Sequence, residues 1–147
     1  MKTPAEVLVV DDNPADQDLT REALAQSRCP SHVRGACNGV EALEMLHRDG
    51  KHAGPGLPDL IVLDLNLPGK DGRAVLREIK SDPALRSTPV VIFSTSQAQH
   101  DIRMSYDLGA NGYVTKPGDL HEFFATVTAL GDYWLGCVSL PHEEEWR

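Results

Sequence analysis

Leu60-Ile61-Val62-Leu63 is a run of four apolar residues bounded by Asp59 and Asp64. A run this short and this continuous fits a strand buried on both faces, as in a parallel sheet covered by helices. The strand must end at Asp64, and Pro68-Gly69 supplies a turn soon after. Open α/β sheets place their chemistry at the carboxyl ends of their strands. Asp64 is therefore the leading candidate for a working residue.

The rest of the chain repeats this pattern. Val7-Leu8-Val9-Val10 is a first short apolar run, ending on Asp11-Asp12. Asn13-Pro14 then opens a helix, with Asn13 as cap and Pro14 at the first helical position. Ala15, Leu19 and Ala23 form its apolar stripe. Residues 33–37 read as a weaker strand nearer an edge, and a second helix follows Asn38-Gly39. Residues 49–58, rich in Gly and Pro, read as an unusually long loop. Beyond the central strand, Gly72, Val75, Leu76 and Ile79 mark one face of a third helix. Val90-Val91-Ile92-Phe93 is another buried strand, ending in Ser94-Thr95-Ser96. Ser96 with Gln99 predicts a capping box for a fourth helix, with Ala98, Ile102 and Tyr106 facing inward. Tyr113-Val114-Thr115 forms a fifth strand before Lys116-Pro117. Asp119 and Glu122 cap a fifth helix carrying Leu120, Phe123, Phe124, Val127, Leu130 and Trp134. Strict alternation with short connections implies one parallel sheet with helices on both faces.

A chain of 147 residues is one domain of ordinary size. Its net charge of -8 and pI near 5.1 disfavour nucleic acid and anionic membrane surfaces, which need a basic patch. The three cysteines, Cys29, Cys37 and Cys137, give neither a disulfide framework nor a zinc pattern. The six histidines are scattered without ligand spacing. The N-terminus lacks the apolar segment of a signal peptide, and no apolar run approaches membrane-spanning length. The expectation is a soluble, cytoplasmic protein.

Strands of a parallel sheet share a direction, so their carboxyl ends converge. The first supplies Asp11 and Asp12, the third Asp64, the fourth Ser94 and the position after the fifth Lys116. Carboxylates gathered in one place stay ionised together only with a cation among them. An all-oxygen site with few protein ligands suits Mg²⁺. Lys116 adds a second positive charge. This constellation suits phosphoryl chemistry: the cation and the lysine neutralise phosphoryl oxygens, and a carboxylate is a competent nucleophile. Ser94 offers a hydroxyl donor.

These residues resemble the receiver domain of two-component response regulators. The resemblance rests on Asp11-Asp12, the strand ending in Asp64 with Pro68-Gly69 and Asp71-Gly72 after it, Ser94, and Lys116-Pro117, and it covers roughly residues 6–135. It implies a flavodoxin-like (βα)5 α/β fold with strand order 2-1-3-4-5. It also implies phosphorylation of Asp64 by a sensor histidine kinase, with Mg²⁺ held by Asp11 or Asp12, Asp64 and the backbone carbonyl of Asn66. Ser94 and Tyr113 would act as a switch pair, Lys116 would contact the phosphoryl group, and the Lys116–Pro117 bond would be cis. The segments 64–73, 79–83, 94–97 and 133–138 further resemble the small stand-alone regulators that partner bacterial phytochromes.

The resulting expectation is a receiver domain over residues 1–135, a tail over 136–147 and no effector domain. Output would then be a change of surface, on the fourth helix, fifth strand and fifth helix. Exposed apolar residues in the tail point to a homodimer contact or to a strap over the fold. Other classes meet objections. A haloacid-dehalogenase-like phosphatase needs an acid two residues past its nucleophile, where this chain has Asn66. A flavodoxin-like cofactor binder would set Asp11-Asp12 against its phosphate. A receiver-like module working without phosphate leaves the complete acid set unused.

Overall fold

The computed structural model describes residues 4–51 and 56–141. Five strands alternate with five helices: β1 Ala5–Val10, α1 Pro14–Ala25, β2 Ser31–Ala36, α2 Gly39–Lys51, β3 Leu60–Leu63, α3 Gly72–Ser81, β4 Val90–Ser94, α4 Gln99–Asp107, β5 Gly112–Thr115 and α5 Leu120–Gly131. A π-helical turn, Asp132–Cys137, continues α5. The sheet is parallel throughout, in the order β2-β1-β3-β4-β5. This is the expected doubly wound α/β fold, with β2 and β5 at the edges. Residues 52–55 of the expected long loop, and 142–147 of the expected tail, lie outside the described residues.

The central strands are buried on both faces because successive side chains point to opposite sides. Leu8, Val10, Ile61, Leu63, Val90 and Ile92 pack with Leu46, Val75, Leu76 and Ile79 from α2 and α3. Val7, Val9, Leu60, Val62, Val91 and Phe93 pack with Leu24, Phe123, Val127 and Leu130 from α1 and α5. Gly72, Val75, Leu76 and Ile79 are the buried residues of α3, as their spacing predicts. Gly72 is pressed onto the end of β3: a Cβ there would strike the Asp64 carbonyl oxygen and come within 2.6 Å of Leu65 Cα. Gly69 takes a positive φ of 71° in the expected turn.

Several local expectations need correction. The buried positions of α1 are Thr20, Ala23 and Leu24, and Ala15 is exposed. The buried face is thus turned by about a quarter of a turn from the expected stripe, with Ala23 common to both and Leu19 half-buried against the core. α2 extends to Lys51, into the segment read as loop. The cap of α4 is Ala98, which makes no side-chain bond. Ser96 Oγ instead donates to Asp101 Oδ2 at 2.6 Å. Ser105 is the buried residue of α4 while Tyr106 is half exposed, because Ser105 hides its hydroxyl on the Asp101 carbonyl at 2.8 Å. Every peptide bond among the described residues is trans, Lys116–Pro117 included.

The expected boundary at residue 135 falls inside the π-helical turn. Trp134 and Leu135 pack against the α1–α5 core, whereas Tyr133 stays 57% exposed. Asp132 Oδ1 accepts the Arg28 N–H at 2.8 Å, tying this turn to the end of α1.

Candidate functional site

The register of the sheet builds the site. Val10 lies beside Leu63 and Ser94 beside Thr115, so Asp11, Asp64 and Lys116 each follow a strand end on one rim. Ladder bonding continues onto all three. Asp11 N–H donates to Ala36 O at 3.0 Å, Asp64 N–H to Val10 O at 3.0 Å, and Lys116 N–H to Ser94 O at 2.7 Å. Their backbones are therefore as fixed as the sheet itself.

The side chains then meet. Asp11, Asp64 and Lys116 are buried, and Asp12 is exposed beside them. Each buried acid splits its oxygens between two jobs. Asp11 Oδ1 accepts Asn13 N–H at 2.9 Å, and Asp64 Oδ1 accepts Asn66 N–H at 3.1 Å. Both are turns in which an aspartate binds the backbone two residues ahead. The Oδ2 atoms accept from Lys116 Nζ, at 2.7 Å for Asp11 and 3.0 Å for Asp64. A third acid, Asp16 in the first turn of α1, accepts from the same Nζ at 2.9 Å. The ammonium also lies 5.8 Å from the centre of the Phe93 ring.

Charge balance follows from this packing. Burial works to lower the Lys116 pKa, but hydrogen bonds to Asp11 and Asp16 and the charges of Asp11 and Asp64 outweigh it. Lys116 is held firmly as an ammonium, well above the ordinary lysine range. Burial raises the pKa of Asp11, and Lys116 and the Asn13 N–H offset only part of that. Three carboxylates thus bond one ammonium, and the Asp12 carboxylate lies beside Asp11 and Asp64. Carboxylate oxygens of Asp11, Asp12 and Asp64 lie within 4.8 Å of one another. An uncompensated, all-oxygen donor set of this size fits a hard divalent cation.

Ser94 is fully buried at the end of β4, and its Oγ accepts Ser96 N–H at 3.3 Å. Tyr113 on β5 donates from its hydroxyl to Ser96 O at 2.9 Å. Ser96 therefore joins the two expected switch residues through its own backbone. Its hydroxyl binds Asp101, which is also paired with Arg73 of α3. The Ser96 hydroxyl and the Arg73 guanidinium together hold the Asp101 carboxyl below its usual pKa.

Asp11, Asp12, Asp64 and Lys116 are thus brought together at one rim, Asn66 and Ser94 adjoin them, and Tyr113 on β5 reaches the chain after β4 through its hydroxyl. Asp16, Asp101 and Arg73 carry no mark of a site in the sequence, and Ser96 is marked there only as a helix cap. An acid in a first helical turn reads as a complement to the helix dipole, and nothing in its spacing marks Asp16 as reaching a lysine a hundred residues on.

The response regulator receiver domain family matches residues 7–128. This chain belongs to that family. Response regulator Rcp1 of Synechocystis sp. is 40% identical over 138 residues, covering 94% of each chain. The crystal structure of the phosphorylated cyanobacterial phytochrome response regulator RcpA superposes with a TM-score of 0.88 at 46% identity. That match spans 95% of this receiver chain and 100% of RcpA. The Mn(2+)-bound form of Rcp1 superposes with a TM-score of 0.87 at 40% identity, over 95% of this chain and 100% of that one. Among the described residues of the receiver, no helix is long and apolar enough to cross a membrane.

Proposed function

We propose that Asp64 is the phosphoryl acceptor of a two-component phosphorelay. The observation that carries this reading is the convergence of Asp11, Asp64 and Lys116, each locked by ladder bonds to one sheet rim. A carboxylate oxygen of Asp64 forms the new O–P bond. The bond from phosphorus to the donor, a kinase histidine, breaks and its electron pair leaves with the donor. Asp11, Asp12, Asp64 and the Asn66 carbonyl would hold Mg²⁺, which offsets charge on the phosphoryl oxygens when bound. Lys116 turns an N–H toward the same oxygens. The protein acts on itself only, in acquiring and losing this group.

The new acceptor oxygens draw the Ser94 hydroxyl, and Ser96 N–H loses its partner. Tyr113, bonded to the Ser96 carbonyl, is released to turn inward. The surface of α4, β5 and α5 then changes. The similarity to RcpA and Rcp1 supports a phytochrome as the sensor kinase and a cytoplasmic setting. Exposed Tyr106 on α4 and Tyr133 in the π-helical turn support a homodimer through this surface and the tail. In this reading residues 1–135 act as the receiver and 136–147 as the tail.

The test is intact-mass measurement of wild type and Asp64→Asn after incubation with acetyl phosphate and Mg²⁺. Wild type should gain one phosphoryl group and the variant none. Equal uptake by both would show that Asp64 is not the acceptor. Light scattering with and without beryllofluoride tests the dimer, which predicts a doubled mass in one state.

A further inference from the structure

Asp16 reaches the site without belonging to the acids that can share a cation, which are Asp11, Asp12 and Asp64. An ammonium has three protons to donate. On Lys116 all three are engaged, by Asp11, Asp16 and Asp64. The Asp16 carboxylate is not needed to cap α1, because Asn13 Oδ1 accepts the N–H groups of Ala15 and Asp16. Its side chain is only 25% exposed. Among the described residues, Lys116 is what that carboxylate binds. A cleft of about 170 Å³, lined by Asp16, Leu19, Thr95, Pro117 and Asp119, opens beside the contact.

We propose that Asp16 is a positioning residue that tethers the Lys116 ammonium and thereby weakens the site's hold on a phosphoryl group. The proposal rests on the reading that Asp64 carries that group and Lys116 contacts it. With Asp64 modified, the N–H now given to Asp64 Oδ2 can turn to a phosphoryl oxygen. Asp11 and Asp16 keep the other two. Removing Asp16 frees a second N–H for the phosphoryl oxygens. Asp16 itself makes and breaks no covalent bond, so it changes the balance between the two states of the receiver and not the chemistry.

The experiment is a titration of the full chain with beryllofluoride at saturating Mg²⁺. It compares wild type, Asp16→Asn, Asp16→Ala and Asp119→Asn. Asp119 lines the same cleft and its Oδ2 caps α5 through Glu122 N–H, so its Asn variant removes an equal charge without touching Lys116. Asp16→Ala should bind the mimic about tenfold tighter, roughly the worth of one charge-assisted hydrogen bond. Asp16→Asn keeps the side-chain size, guards against a folding defect, and should fall between wild type and Ala. Asp119→Asn should stay close to wild type. Affinity for Mg²⁺ alone should not tighten in any variant, whereas a general loosening of the site would weaken both ligands. Unchanged or weaker mimic binding in both Asp16 variants would overturn the tether. Equal tightening in Asp119→Asn would reduce it to bulk charge. If wild type itself takes up no mimic, the acceptor reading fails first, and the tether with it.

Discussion

Two lysines are drawn into this fold, and they are treated in opposite ways. Lys116 Nζ gives its protons to three carboxylates. Lys80 Nζ gives its protons to neutral oxygens: Arg86 O at 3.0 Å, Thr88 O at 2.9 Å and Asn111 Oδ1 at 3.1 Å. Burial lowers the pKa of Lys80, and no acid among the described residues restores it. The acids raise that of Lys116 despite its burial. Geometrically both are satisfied ammonium groups with three acceptors. Electrostatically they differ. Lys80 sews the end of α3 to the start of β4 and the turn before β5. Lys116 sits in a surplus of negative charge that any new ligand must share.

This contrast can be broken by substitution. Lys116→Met should cost the most, about 3 kcal/mol in urea unfolding with EDTA, because it leaves buried acids unpaired. Millimolar Mg²⁺ should return much of that loss by binding the same acids. If Mg²⁺ returns nothing, the acids are not a cation site. Lys80→Met should cost less, about 1–2 kcal/mol, because it takes a donor from Arg86 O and Thr88 O while Asn111 Oδ1 keeps the Val90 N–H. That cost should be the same with and without Mg²⁺, and a metal-dependent loss there would erase the distinction between the two corners.

Alkaline titration sharpens the same contrast. Lys80 has a folded pKa below the ordinary 10.5, so the unfolded chain binds its proton more tightly. Its contribution to stability therefore rises as pH climbs through the folded value toward 10.5. Lys116 has a folded pKa above 10.5, so its contribution is full below that pH and is lost as pH rises through the folded value. Melting temperatures of Lys80→Met followed upward from about pH 8 should lack the first rise and keep the later loss.

The smallest effect concerns Asp101, which has one partner of each kind, the Ser96 hydroxyl and the Arg73 guanidinium. Its folded pKa lies below 3.8, so it adds stability above that value and loses it as pH falls through the folded one. Acid unfolding of Asp101→Asn should be slightly less steep than that of wild type.

The sheet and the three residues at its rim could be read from the amino-acid sequence because burial on both faces demands continuous apolar runs. Each of the β1, β3 and β4 runs ends abruptly on polar residues. Where the buried face is less apolar, periodicity alone misleads. On α4 periodicity favours Tyr106, yet Ser105 is buried, since a serine can hide its hydroxyl on its own helix and a tyrosine cannot. The Ser94-Thr95-Ser96 triplet offers similar hydroxyls in succession. Which one enters the core and which one binds Asp101 depends on the path of the chain after β4. Asp16 is not legible in the sequence because its partner lies on a distant element, and local pattern carries no record of such pairs.

Gly72 brings the helix to Asp64. With its backbone resting on the carbonyl of Asp64 and the Cα of Leu65, the first turn of α3 and the end of β3 behave as one rigid lever. A single methyl group at this position would act as a wedge driven under that lever. Stability and phosphoryl uptake would drop together, and no choice of larger residue there could tune one while sparing the other.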